Sequence, residues 1–444
     1  MTTHNRATVV GHSRPMFHGT ARKRIVVTAS DLTGGYASGR GLRALGIAAA
    51  LSAHHDVSLL CNGPPDFPIM PPGVAVVGPS QRRDAIATAD VIVTGNELNW
   101  RELLSLRAML VADLYDPLIF QLPYMDVPLS DFTARANDEL SIAHFAISHA
   151  DLILCANEPQ RDLYIGARLA AWHRWGEAMA LPPGPDSSGG VLVLPNGIPT
   201  EAPRPCANLR AQLGVAPDDI LLIWGGGVWG FLDPELAVTA TVCASTANPR
   251  VRLLFLGLSR DAKLTPREAR LLHACNRAGA SIIMNPRWVP LSVRGSYLAA
   301  STAGVIAQQN GLETHFAFRT RLIDCIWAEL PVVATGGDSL TAVGARQGWA
   351  LVSPSNNPDA LAHSMLQMAD IEKYEAMRAA IRQVRPSWTW DALIQPLLAA
   401  IEQASPPQLD HRMRRSISAA AREVRSRARS TWGRASGSGP TRPQ

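Results

Sequence analysis

Short apolar runs alternate with longer stretches of helical period along most of this chain. Ile25–Ser30 is β-branched and runs into a glycine-rich turn, Gly34-Gly35-Tyr36-Ala37-Ser38-Gly39-Arg40-Gly41. Leu42–Ala53 then has the period of a helix, and Val57–Cys61 returns to that of a strand, which together make a βαβ opening. Val74–Gly78, Val91–Gly95, Met109–Ala112, Leu152–Ala156 and Val191–Leu194 extend the series. A second series starts at Ile220–Trp224 and passes through Arg252–Leu256, Ser281–Met284, Ala303–Ala307 and Val332–Thr335 to Ala350–Val352. Strands this apolar, with helices between them, predict parallel sheets covered on both faces, in two similar α/β halves. Leu181–Gly190, rich in Pro, Gly and Ser, reads as a surface loop, and the proline-bearing Asn196–Pro205 as the linker between the halves. Helical stretches at Asp359–Ala369, Ala376–Arg385 and Trp390–Gln403 lead to Ser405-Pro406-Pro407. There is no short-period repeat. Ligands of such sheets bind at the carboxyl ends of the strands, in the cleft between the halves.

Composition supports this layout. A chain of 444 residues with 47% apolar content is too large for one small core and suits two. No apolar run reaches the length of a membrane span, and the polar, basic start, Met1–Arg24, lacks the apolar segment of a secretory signal. The six cysteines form no CxxC pair and read as reduced residues of a cytoplasmic protein. The net charge of +5 is unevenly spread. Beyond residue 409 nine arginines face Asp410 and Glu423, an excess of seven, so the remainder carries −2. A nucleic-acid binder carries its basic face on the folded domain, so nucleic acid is not an expected partner. Within the tail, Met413, Ile417, Ala420, Val424 and Ala428 fall on one helical face, with arginines opposite and Trp432 near the end. Residues 410–434 therefore suit either an anionic membrane surface, peripheral to the cytoplasmic side, or a solvated basic tail.

The densest chemistry lies between Glu313 and Pro331. Glu313, Arg319, Arg321 and Asp324 surround the expected start of a helix, just beyond a buried strand. Arginines and helix N–H groups can face phosphates while carboxylates take sugar hydroxyls, a combination that suits a nucleoside diphosphate. The bland alternative is a helix with solvated charges. Gly225-Gly226-Gly227-Val228-Trp229-Gly230 follows a strand and formally matches the dinucleotide fingerprint. Leu232-Asp233-Pro234-Glu235 delays the helix, however, and no ribose-binding acid ends the next strand, so a nicotinamide-dependent dehydrogenase is poorly supported. Close backbone approach to a ligand is the better inference for these glycines. Gly39, Arg40 and Gly41 at the first strand–helix junction either admit an acceptor or phosphate or form a plain tight turn. Asp113 and Asp116 end a buried strand, but no Asp-x-Asp pair occurs, which favours chemistry without a protein-held metal. The histidines show no HxH or HxxxH spacing, and no Gly-x-Ser-x-Gly elbow appears.

Several segments, in order, resemble the retaining, family 4 type glycosyltransferases of the two-Rossmann GT-B fold. They are Leu222–Gly227 with Phe231-Leu232-Asp233-Pro234, Trp288-Val289-Pro290, Leu312-Glu313-Thr314, Phe318–Asp324, Trp327–Val333 and Gly337-Asp338-Ser339. Asp113–Pro117, Cys155–Asp162 and Pro195–Pro199 extend the likeness into the first half.

The resemblance implies a flexible start (1–23), an acceptor-side domain (24–198), a donor domain (206–385), a helix packing back on the first domain (386–404) and the basic tail (405–444). It implies transfer of a sugar from a nucleotide-sugar donor, with no tightly bound cofactor. The acceptor is unidentified, and a cell-surface glycan, a lipid-linked precursor and a glycosylated metabolite all fit. Catalytic roles fall to Glu313, Arg319, Arg321 and Asp116. Donor contacts fall to Gly225, Gly226, Gly227, Trp288, Val289, Thr314 and Asp324, and the acceptor side to Gly39, Arg40, Gly41, Asp113 and His144. Three departures stand out. Glu313 lies eleven residues before Asp324, three more than the family spacing, and Gly225–Glu235 lacks the family's basic pair. Glu329 stands where a glycine is usual. Arg319 and Arg321, with the amides of Gly226 and Gly227, are then expected to neutralise the diphosphate. The rival from another class is a non-catalytic relative that binds a ligand or partner in the same cleft.

Overall fold

The computed structural model describes residues 21–404 except 31, 34–35, 62–69, 96, 125–128, 175–189, 259–262 and 286. The amphipathic pattern expected at 410–434, nearly all of the 181–190 loop and most of the flexible start lie outside the described residues.

Two parallel sheets carry the fold. The first has the order Val74–Val77, Asp56–Cys61, Arg24–Ala29, Val91–Thr94, Met109–Asp113, Leu152–Cys155, Val191–Val193. The second runs Ile282–Met284, Val251–Phe255, Ile220–Trp224, Ala303–Ile306, Val332–Thr335, Ala350–Ser353. Ile25 pairs with both Val57 and Val91, and Leu222 with both Leu253 and Ala303, so each first strand sits centrally. Strand order reverses at that point in both sheets, and the crevice this leaves at the carboxyl ends is where an α/β sheet receives ligands. Every strand predicted from the apolar runs is present; the central strands are covered on both faces and buried nearly throughout, while the edge strands are buried in part.

The first helix begins earlier than its apolar pattern suggests. It spans Gly39–Ser52, and the Ser38 hydroxyl accepts from the Gly41 N–H at 3.5 Å, so Gly39, Arg40 and Gly41 form its first turn. The stretch Trp390–Gln403 is broken into Trp390–Leu393 and Gln395–Gln403, with Pro396 in the first turn of the second piece, where its missing N–H costs nothing. Ile394, Leu397, Leu398 and Ile401 enter the core of the first half beside Ile25, Ile47 and Leu51. The chain thus crosses back after completing the second sheet. Backbone bonds fix the crossing: Ile198 N–H donates to Trp388 O at 2.8 Å and Trp390 N–H to Ile198 O at 3.1 Å. Among the cysteines, Cys61, Cys155, Cys275 and Cys325 are buried, whereas Cys206 and Cys243 are exposed, and none is paired. No helix among the described residues is long and apolar enough to cross a membrane.

Glu329 has φ +54°, in the left-handed region that favours glycine. Its carboxylate accepts from Arg382 Nε at 2.9 Å and approaches Arg378 at 3.5 Å, anchoring the turn to the helix Ile371–Val384. Relief of backbone strain should offset the loss of these half-exposed pairs, so Glu329→Gly is expected within about 1 kcal/mol of the parent in denaturant unfolding. Glu329→Val, β-branched at the same φ, should lose about 1–3 kcal/mol. A valine variant as stable as the parent would contradict this account.

Candidate active site

The carboxyl edges of the two sheets face a cleft of about 770 Å³ open to solvent. The first half contributes Ser38, Gly39 and Leu42, and the second Gly225–Gly227, Trp229, Trp288, Val289, Arg294, Thr320, Arg321 and Asp324. The halves approach closely here: a Cβ on Gly39 would stand 3.2 Å from both the Thr320 and the Tyr115 hydroxyl.

The strand Ile220–Trp224 delivers the glycine run to the cleft. Gly226 has φ +134°, which a side chain rarely tolerates, and the turn aims Gly227 O at Arg321 Nη2, 3.1 Å away. The helix that follows starts only at Pro234, capped by Asp233, whose carboxylate accepts from Leu236 N–H at 2.9 Å. Gly225–Asp233 thus separates strand from helix, and the glycines are not pressed against a helix N-terminus as the dinucleotide fingerprint requires.

Arg321 is buried in the helix Thr320–Trp327 with its guanidinium 5.1 Å over the Trp224 ring. Its Nη1 is buried without a hydrogen-bond partner, and burial, aided by the neighbouring Arg319 charge, pushes its pKa down to about 9. One turn on, the Asp324 carboxylate accepts from Arg294 Nη1 at 2.7 Å. Burial raises the Asp324 carboxyl above the usual carboxylate range, against the pull of Arg294 and Arg321. Arg294 Nε and Trp288 Nε1 are likewise buried and unpartnered, and Trp229 meets Trp288 edge-on at 6.1 Å between centroids. Three unpaired N–H donors therefore belong to residues lining one cleft, beside two cations and one carboxylate already engaged.

The two arginines expected to act together are separated. Arg319 forms a buried two-pronged ion pair with Glu313, Nη1–Oε1 2.9 Å and Nη2–Oε2 2.6 Å, and donates from Nε to Gln308 Oε1 at 2.6 Å. Its guanidinium also lies 4.9 Å over the Phe231 ring. Neither Glu313 nor Arg319 lines the cleft around Arg321. The Thr314 hydroxyl is engaged locally, donating to Gln309 O. Glu313 and Arg319, both expected to be catalytic, are thus each other's partner in this structure.

On the first half, Asp113 is held by the buried Arg43 guanidinium at 2.9 and 2.7 Å, and Arg43 also donates to Leu194 O and Asn196 Oδ1. Asp116 accepts from Gln121 Nε2 at 2.6 Å. Desolvation raises its carboxyl above the usual carboxylate range; Arg40 opposes this and Glu313 adds to it. Gly41 is buried in its helix, and His144 is exposed beside a separate cavity.

Sequence reasoning missed three groups. Arg294 lies on the helix Leu291–Ala300, just beyond the quoted Trp288-Val289-Pro290. Glu97 accepts from the Thr28 hydroxyl at 2.7 Å and Gly95 N–H at 2.9 Å and lies 3.5 Å from Arg40 Nη2; the visible signal was an acid two residues beyond the glycine ending a strand. Asn157 and Gln160 join the halves, donating to Ala317 O at 2.9 Å and Phe316 O at 2.7 Å. Among the described residues no three His, Cys, Asp or Glu side chains gather as a metal site.

No protein-family model and no curated protein sequence matches the chain. Solved structures do. Sucrose-phosphate synthase from Thermosynechococcus elongatus aligns at TM-score 0.62 and 15% identity, covering 86% of this chain and 99% of that one. HepE of Anabaena, solved in complex with UDP-glucose, aligns at 0.60 and 15%, covering 86% and 100%. WaaG, described as a glycosyltransferase involved in lipopolysaccharide biosynthesis, aligns at 0.56 and 13%, covering 85% and 98%. The architecture is the GT-B fold of these glycosyltransferases, two parallel-sheet domains facing across a cleft.

Removing one partner of the Glu313–Arg319 pair leaves an uncompensated buried charge. Glu313→Leu and Arg319→Leu should each cost about 3–5 kcal/mol, while the double variant should cost much less than the sum. Denaturant unfolding of all four proteins measures the coupling; additive losses would contradict it.

Proposed function

We propose that this protein is a glycosyltransferase that moves a sugar from a nucleoside-diphosphate donor to an acceptor hydroxyl held by the first half. The observation that carries the reading is the unpaired donor set, Arg321 Nη1, Arg294 Nε and Trp288 Nε1, around a glycine turn at the carboxyl ends of the donor-side strands. Buried donors left unmade are costly, and a ligand rich in acceptor oxygens satisfies them together. A diphosphate is such a ligand. It also returns a counter-charge to the desolvated Arg321. The Gly226 and Gly227 backbone and the Trp288 ring bound the same space, so the diphosphate lies over the glycines and the nucleoside toward Trp288 and Val289.

In this reading the bond from the anomeric carbon to the phosphate oxygen breaks as the acceptor oxygen bonds to that carbon. The acceptor proton passes to the departing phosphate. Negative charge grows on the leaving diphosphate, and Arg321 with the neighbouring N–H groups stabilises it. Asp324 takes a hydroxyl of the donor, steadied by Arg294. Glu313 and Arg319 are positioning residues: their pair, tied through Gln308 to Asp338, fixes the loop between the strand Ala303–Ile306 and the helix Thr320–Trp327. Retention of configuration and the family 4 type follow from the sequence resemblance. Unpaired cysteines suit a reducing cytoplasm.

Isothermal titration tests the donor site. Arg321→Ala should weaken UDP by about 10- to 100-fold, the worth of a charge-assisted contact, and leave uridine unchanged. Equal losses for both, or none, would place the phosphates elsewhere. Because arginine and backbone donors meet the diphosphate charge, turnover of the cognate sugar nucleotide should persist in EDTA. Complete loss restored by Mg²⁺ would contradict that mechanism.

A further inference from the structure

The first half holds a second cavity, partly open to solvent, between the helices Leu129–His149 and Glu158–Arg174 and beside the short turn Leu118–Phe120. Its walls are mainly apolar and include Leu114, Ile119, Ile147, Leu163 and Ala167. The Tyr164 hydroxyl is spent on Leu114 O at 2.6 Å, and the His144 ring is a further polar group in the wall. Its charged lining residues are Arg40, Asp113 and Asp116, the last at an end where Glu313 and Arg319 of the other half act on it.

That end faces the other half. Phe120 lines the cavity and stacks on Phe316, with centroids 5.0 Å apart. Phe316 closes the short helix Leu312–Phe316 that carries Glu313, and Gln160 donates to both Tyr115 O and Phe316 O at 2.8 and 2.7 Å. The cavity has an apolar body and a polar mouth at the seam between the halves. Small-molecule pockets likewise combine apolar walls with a few placed polar groups. Water gains little in such a space, because it finds few partners there.

We propose that this cavity receives the alkyl chain of an amphiphilic acceptor, whose hydroxyl end emerges past Asp116 and Arg40 toward the sugar donor. The identification as acceptor site rests on the glycosyltransferase reading; the cavity's preference for an alkyl chain does not. Apolar surface leaving water drives the chain inward, and affinity rises with each methylene buried. A free sugar or short polyol gains nothing from these walls and is a poor acceptor.

The test uses the full chain and the fluorescence of N-phenyl-1-naphthylamine. The probe should bind the parent and be displaced by octyl glucoside but not by methyl glucoside. Ala143→Trp and Ala167→Trp, on two different helices, fill the cavity and should each weaken the probe by about tenfold or more. UDP affinity, titrated in the same proteins, should be unchanged in both variants and reports that the donor half is intact. A parent that binds no probe, equal displacement by the two glucosides, or variants that keep both probe and UDP affinity would overturn the proposal. If the probe behaves as expected and UDP fails to bind the parent, the cavity stands and the donor reading falls.

Discussion

A guanidinium held out of water with one N–H unpaired sets the logic of this cleft. Arg321 is buried under the Trp224 ring, donates to one glycine carbonyl, and has no carboxylate of its own to offset the loss of hydration. Isolated buried charge is among the costliest arrangements a fold can contain, and it persists where a ligand supplies the counter-charge. The geometry around it follows. Gly226 adopts a conformation suited to glycine so that the turn can bring the Gly227 carbonyl to Arg321. Asp324, one turn on, offsets part of the Arg321 charge through space, but its carboxylate is hydrogen-bonded to Arg294. Two cations and one acid remain beside an open space, a balance that favours an anion.

The neighbouring pair solves the opposite problem. Arg319 and Glu313 are as deeply buried, yet each satisfies the other in two-pronged geometry, with Gln308 taking the remaining Nε–H. Two arginines separated by one residue on the chain thus divide the work, one closed upon itself and one left open. In the first half the single Nε–H of Arg43 is shared between both Asp113 oxygens, and Nη1 ties the end of the sheet to Asn196 at the linker, while Nη2 stays buried without a partner. Buried ion pairs of this kind fix the framework; the unpaired donors fix the chemistry.

Much of the fold was legible because parallel strands buried on both faces leave uninterrupted apolar runs, and all thirteen strands of the two sheets lie where such runs occur. The glycine turn and the dense Glu313–Asp324 segment were legible for the same local reason, since their chemistry is contiguous in sequence. What sequence hid was partnership. Nothing local shows that Arg319 faces Glu313 while Arg321 faces Gly227, ninety-four positions earlier. Arg294 was hidden because it reaches Asp324 from another helix, thirty residues away. The helix start at Gly39 was missed because its first turn is glycine and arginine, without the apolar period that marks the remainder. Glu329 made no sense as a residue type until its positive φ showed what the position demands.

Everything proposed for the cleft depends on its unpaired donors meeting a diphosphate. A crystal structure of the protein with UDP tests this most directly. The account predicts phosphate oxygens within hydrogen-bonding distance of Arg321 Nη1, over the Gly225–Gly227 turn, with the uridine toward Trp288 and Val289. UDP bound with its phosphates away from Arg321, or ordered outside this cleft, would contradict it.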